Sequence, residues 1–182
     1  MEREKAFELI KEKVKNKNLV KHLLATEAVM AALSRHFGEN PDMWGLAGLV
    51  HDIDYDLTKD DFPRHGKLGA EMLLKAGITN DEILHAVYAH TGNILPETTM
   101  ARALFCTDPL TGFLVACALI TPSKKLKDID VPFALNRFKE KRFAAGANRE
   151  VIAKCQEIGL SLEEFIGIGL KAMQDISNDL GL

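Results

Sequence analysis

Cysteine is scarce in this chain. Cys106, Cys117 and Cys155 are odd in number and none pairs in a CxxC spacing, which excludes a disulfide framework and a zinc knuckle and leaves three small core hydrophobes. An excess of basic charge is also missing: 23 Lys and Arg stand against 26 Asp and Glu, a net charge of −3. Such a balance offers no general attraction for nucleic acid or for an anionic membrane, so neither is expected as a partner. Residues 1–17 alternate in charge and lack the apolar core of a secretory leader, and nothing resembles a transit peptide, so a cytoplasmic location is expected. There is no internal repeat and no low-complexity tract. No pair of alternating apolar runs is joined by a hairpin turn, which argues against a sheet. One stretch, Ala103 to Thr121, is about long enough to span a bilayer, yet it carries Asp108, Pro109 and Gly112 near its middle and reads as a buried core helix.

What is present fits one domain. A length of 182 residues, 47% of them apolar and 27% charged, is enough for a single well-buried core. The periodic segments all read as helix, which predicts an all-α, single-domain helical bundle. Helices are expected over about Glu2–Lys15, Leu19–Phe37 with Gly38 as its stop, and Asn40-Pro41 through Asp52. Residues 54–63 read as a polar loop. Further helices are expected over about Arg64–Lys75, Asn80–His90 behind a Thr79/Glu82 capping box, and Glu97–Ile120 with a kink or restart at Pro109. After Asp130 more helices follow, around Ala147–Ile158 and from a Ser161/Glu164 capping box to Leu180.

Imidazoles and carboxylates occupy particular faces of these helices. At 100° per residue His90 shares a face with Ile83, Ala86 and Val87, while His85 points the other way. His51 aligns with Trp44, Ala47 and Gly48, small residues that let another backbone approach, and Asp52 sits beside it. His22 lies at the edge of the apolar stripe of its helix, with His36 further towards solvent. His65 opens a helix whose Leu68, Gly69 and Met72 face inward. Asp108 is the one charged residue between Ala103 and Thr121, and a carboxylate among apolar neighbours requires compensation, most simply by a cation. Taken singly, each of these reads equally as a core histidine or a helix cap. Taken together, four imidazoles and two carboxylates suffice for two transition-metal ions.

The ordered set resembles the HD superfamily of metal-dependent phosphohydrolases, named for the His-Asp pair seen here as His51-Asp52 within GLVHDID. The resemblance implies that His22, His51, Asp52 and Asp108 bind one metal, and that in two-metal members the HD aspartate, here the catalytic Asp52, bridges to a second ion held by His65 and His90. From His51 to Asp108 the pattern is most similar to bacterial HD-type symmetrical dinucleoside tetraphosphatases, with His65 opening the HGKLGA helix and His90 preceding a Thr-Gly turn. The resemblance covers roughly Leu19 to Leu119, so it implies one HD-type domain over residues 1–182, a metal-site core and C-terminal helices from about residue 130. The residue after the HD-Ile is Asp54, where glycine is common in the family.

The function so implied is hydrolysis of a small phosphoester or phosphoanhydride, a nucleotide foremost, by water activated at a dinuclear site. Imidazole and carboxylate donors accept iron, manganese, cobalt, nickel or zinc, and the resemblance favours iron or manganese. Arg64, Lys67, Lys124 and Lys125 are candidates for binding the substrate phosphate, against the plainer reading of solvated surface charge. Asp54 and Asp56 are candidates for supporting the ligands or protonating a leaving group, and Thr91 for a hydrogen bond near the site. The same ligand set serves HD-fold mixed-valence di-iron oxygenases, and a non-catalytic metal- or nucleotide-binding module is the third class.

Overall fold

Side-chain caps set the main helices. The computed structural model describes residues 1–182 and contains helices and turns without a strand. α1 spans Arg3–Lys13. Asn16 accepts from the N–H of Asn18 and Leu19 to start α2, Lys17–Phe37, and Gly38 ends it with φ 73°. Asn40 caps α3, Pro41–Val50, with Pro41 in its first turn. The stretch expected as loop after Asp54 winds into α4, Tyr55–Thr58, and a 3₁₀ turn at Phe62–Arg64. Its polar composition hid a compact connection stabilised by the buried Asp54, whose carbonyl accepts from Leu57 N and Thr58 Oγ1 at 2.9 Å each.

α5 begins at Lys67 rather than Arg64, because Gly66 with φ 76° turns the chain immediately ahead of it and leaves His65 extended. α6, Asp81–Ala89, is capped by Asn80, which accepts from Ile83 N at 3.0 Å, and not by Thr79 one residue earlier. α7 runs unbroken over Thr99–Leu119 from a Thr98 cap. The restart expected at Pro109 does not occur. The proline removes one hydrogen bond, but burial of residues on both sides of it, from Met100 to Ala118, holds the axis together. That burial also marks this apolar helix as the core of the bundle.

α8 is Val131–Phe138, α9 is the short Arg149–Ala153 followed by a 3₁₀ turn to Ile158, and α10, Leu162–Asp175, opens on the Ser161/Glu164 capping box as expected. α11, Ser177–Leu180, closes the chain. One continuous apolar core of buried residues, among them Leu23, Trp44, Leu73, Phe113 and Phe165, is shared by elements from α1 to α11. α2 and α3 make the tightest crossing: a methyl group on Gly48 would lie 2.8 Å from the Thr26 carbonyl, so only glycine lets the backbones meet. α7 packs against α2, α6, α9 and α10.

Candidate metal centre

Two helix ends, two positions within helices and one extended link deliver the six donors. His22 projects from α2, where the Thr26 hydroxyl donates to its carbonyl at 2.9 Å. His51 is the residue after α3, still in the helical region at φ −60°, and the close α2–α3 crossing places its ring against that of His22. Asp52 follows on the same turn. His90 ends α6 in the same way. His65 comes from the extended link before α5, and Gly66 is required there, because a β-carbon would meet Thr91 Cγ2 at 2.8 Å and the Val87 carbonyl at 2.9 Å. Asp108 lies in the middle of α7.

The side chains converge. His22 Nε2 lies 3.1 Å from Asp108 Oδ1 and 3.2 Å from His51 Nε2. His51 Nε2 lies 3.6 Å from Asp52 Oδ2 and 3.8 Å from Asp108 Oδ1. On the other side, Asp52 Oδ1 lies 3.1 Å from His65 Nε2 and 3.2 Å from His90 Nε2, and those two nitrogens are 3.3 Å apart. Asp52 thus turns one oxygen to each donor group. Separations near 3 Å are those expected of neighbouring donors around an ion that bonds nitrogen and oxygen at about 2.0–2.2 Å. Groups drawn from His22, His51 and Asp108, and from His51, Asp52 and His90, can each hold a metal ion.

Every imidazole is held from behind. His51 Nδ1 donates to the Gly48 carbonyl at 2.8 Å and His90 Nδ1 to the Val87 carbonyl at 2.5 Å. The Thr111 hydroxyl donates to the Asp108 carbonyl at 3.0 Å and so accepts from His22 Nδ1 at 2.9 Å. His65 Nδ1 donates to Asp54 Oδ1 at 3.1 Å. With each Nδ1 proton so engaged, each neutral ring offers the Nε2 lone pair to the centre, the tautomer and orientation a metal ligand needs.

Asp54 itself is fully buried, and its Oδ2 accepts from Gly66 N at 2.9 Å and Gly69 N at 3.0 Å. Asp54 is therefore a structural hub. Asp56 instead accepts from Lys15 N at 2.9 Å, away from the donors. Thr91 bonds locally, its hydroxyl donating to the Tyr88 carbonyl at 3.1 Å.

The electrostatics favour added positive charge. Burial acts to raise the Asp52 carboxyl, but the facing His51, His65 and His90 hold it well below the usual range. Asp108 is likewise depressed by His22 and His51 against the cost of burial. Burial acts to lower the His22 imidazole, yet Asp108 and Asp52 raise it overall. His65 is pushed up to about 9 in the same way, with burial opposed by Asp52 and Asp54. The two carboxylates thus favour protons on the neighbouring imidazoles of His22 and His65, and a metal cation answers the same field.

Asp108 is the most open carboxylate, with its side chain 35% exposed, and clefts meet there. One of about 200 Å³ is lined by Phe62, His65, His90, Phe105 and Asn148 among others. A second, of about 380 Å³, includes His22, Ala144 and Gly146 and shares Asp108 and Pro109 with the first. A third, of about 420 Å³, continues past His22 between Lys21, Val115, Leu119 and Leu182.

The four basic candidates take no part in these walls. Arg64 is exposed and pairs with Asp61 at 3.5 Å. Lys67 is exposed on α5. Lys124 is exposed beyond the far end of α7, and Lys125 Nζ reaches the Gly181 carbonyl at 3.4 Å. Both lysines follow the C-terminal end of α7, and the Gly181 that Lys125 reaches lines the third cleft. His85 lies apart from the cluster, accepting from Glu97 N at 3.1 Å.

Residues beyond 140 supply the wall that sequence reading missed. The Arg149 guanidinium gathers the carbonyls of Phe143, Ala144 and Ala147 at 2.5–2.8 Å and lies 4.8 Å from the Phe113 ring centre. That fork folds residues 143–148 beside Asp108. Its signal in the sequence is a single arginine with no periodic context.

The HD domain family matches residues 19–130. Among curated relatives, Ribonuclease Y of Alkaliphilus metalliredigens is 28% identical over 142 residues, 74% of this chain and 29% of that protein. Ribonuclease Y of Sulfurovum sp. is 26% identical over 137 residues, 74% of this chain and 27% of that protein. Ribonuclease Y of Fervidobacterium nodosum is 30% identical over 95 residues, 52% of this chain and 18% of that protein. The chain spans less than a third of the length of these relatives. No solved structure matches.

Proposed function

The chain belongs to the HD-domain family, and from that premise we propose that it is a metal-dependent phosphohydrolase acting on a small phosphoester or phosphoanhydride, foremost a nucleotide. The observation that carries this reading is the placement of Asp52, whose Oδ2 faces His51 at 3.6 Å while Oδ1 faces His65 at 3.1 Å and His90 at 3.2 Å. His22, His51, Asp52 and Asp108 would hold one ion, and Asp52, His65 and His90 a second. The donors accept iron, manganese, cobalt, nickel or zinc, and the family resemblance favours iron or manganese.

Bound there, two such ions supply an acidified water as nucleophile and positive charge against the phosphate oxygens. The chain's own groups do the rest. Asp52 fixes the separation of the two donor sets, and the Nδ1 bonds to Gly48, Val87, Asp54 and Thr111 keep four rings from rotating away. Asp108 is the donor at the open face, so the phosphate approaches from its side, where the clefts meet. The residues of the 143–148 segment screen that face from bulk water.

A second reading, cleavage of an RNA phosphodiester, is supported by the name Ribonuclease Y carried by the relatives. The net charge of −3 weighs against broad electrostatic capture of a polyanion. The test is reconstitution with manganese, iron or cobalt in turn, followed by assay of nucleotides, simple phosphoesters and short RNA with oxygen uptake monitored. Metal-dependent phosphate release from nucleotides without oxygen consumption supports the reading. Oxygen-dependent turnover without phosphate release would move the protein to the oxygenase class.

A further inference from the structure

Phe62 is a large apolar side chain 58% exposed that lines a cleft together with the donors His65, His90 and Asp108. Its backbone is nonetheless firmly mounted. It starts the 3₁₀ turn that includes Pro63, and Asn93 Nδ2 donates to the carbonyls of Phe62 at 3.1 Å and His65 at 3.4 Å. The ring sits 5.9 Å from the His65 ring, so it borders the donors directly. Phe105, Pro109 and Val151 line the same cleft of about 200 Å³. The Asn148 side-chain oxygen is occupied in accepting from Glu150 N at 3.0 Å and Val151 N at 3.2 Å, which leaves its amide hydrogens to meet a ligand. An exposed aromatic on a pinned backbone, a second aromatic lining the same cleft and one free amide make a site for a flat polar ring. The site is too small for a whole nucleotide, but it opens through Asp108, Pro109 and Gly146 into the neighbouring cleft beside the metal donors.

We infer that the cleft walled by Phe62, Phe105, Pro109 and Val151, with Asn148 also lining it, is a nucleobase subsite that stacks the base of a nucleotide whose phosphate lies over Asp108. The assignment rests on the phosphohydrolase reading only in where it puts the phosphate. The third cleft, beyond His22, is lined by Val115, Leu119 and Leu182 and has no aromatic wall. The two ends of the trough are therefore unlike, and a base is held at one end only.

The test compares AMP with ribose 5-phosphate, which differ only by the base, in calorimetric titrations of the manganese-reconstituted protein. AMP is expected to bind about tenfold tighter or more, the range that stacking on one aromatic gives. Phe62→Ala should bring the two affinities together, and Phe62→Trp should restore the difference, with manganese content at the wild-type level in both variants as the check on folding. Equal affinities in the wild type, or a preference for AMP that survives Phe62→Ala, would overturn the subsite. If the preference follows Phe62 but neither compound releases phosphate, the subsite stands and the hydrolase reading fails for these compounds. Release from both at equal affinity leaves the hydrolase reading standing and removes the subsite. A 5′-phosphorylated adenylate trinucleotide run in parallel identifies the source of the base: tighter, Phe62-dependent binding than AMP points to an RNA end, and weaker binding to a free nucleotide.

Discussion

Asp54 and His65 form a buried pair in which the carboxylate oxygen Oδ1 lies 3.1 Å from Nδ1 of the ring. The same carboxylate accepts the backbone N–H groups of Gly66 and Gly69. Asp54 therefore fixes both the ring and the chain that carries it. Asp54→Ala should weaken binding of the ion held by Asp52, His65 and His90 by about 10–100-fold, the usual cost of losing a group behind a ligand. Titration of the metal-free protein with manganese would show binding at the His65 side weakening and the other nearly unchanged.

Elemental analysis of the purified protein should give close to two transition-metal equivalents per chain. Asp52→Ala should remove at least one of them, because its two oxygens face separate donor groups. His85→Ala should leave the content as it is, since that ring bonds Glu97 N instead. Equal losses in the two variants would contradict the arrangement.

The pH response of the metal-free protein follows from His65. Its imidazole is raised to about 9, so the stability it contributes is complete below its ordinary value near 6.5 and is lost as pH rises towards 9. Asp52 works in the other direction: its lowered carboxyl contributes stability above the ordinary carboxylate range that disappears in acid. Metal ions displace the protons from the imidazoles, so affinity climbs over the window in which His65 loses its proton. Thermal unfolding with chelator and with manganese at pH 6, 7.5 and 9 should therefore show a metal-induced rise in Tm that grows with pH.

Gly48→Ala should cost about 1–3 kcal/mol in chemical denaturation, because the added carbon would lie 2.8 Å from the Thr26 backbone and push α2 from α3. It should also lower metal content by separating His22 from His51. Gly112→Ala is the control: it sits in α7, and its β-carbon meets nothing within 4 Å. It should be neutral or stabilise by up to about 1 kcal/mol.

Helical periodicity made the bundle readable, since the inward faces of α2, α3 and α6 follow from spacing alone. The convergence of His22, His51, Asp52, His65, His90 and Asp108 was readable from their order. What was not readable depended on contacts between distant segments. The reach of Asp54 to Gly66 and Gly69 follows a turn that polar composition disguised as loop. Pro109 gave a local signal for a break that packing overrode. Arg64, Lys67, Lys124 and Lys125 stand near donors in sequence, but nearness in sequence does not say where a long side chain ends: Arg64 pairs with Asp61 and Lys125 with the Gly181 carbonyl. Asn93, Asn148 and Arg149 act through the loops they pin, and no spacing rule reports that.

The family match ends at residue 130, and every donor falls inside it, whereas Gly146, Asn148 and Val151 lie outside. The donors and part of the adjoining cleft wall thus come from different stretches of the chain. Changing Gly146 or Asn148 within the intact chain is therefore expected to alter which ligand is accepted while the metal content stays as it is.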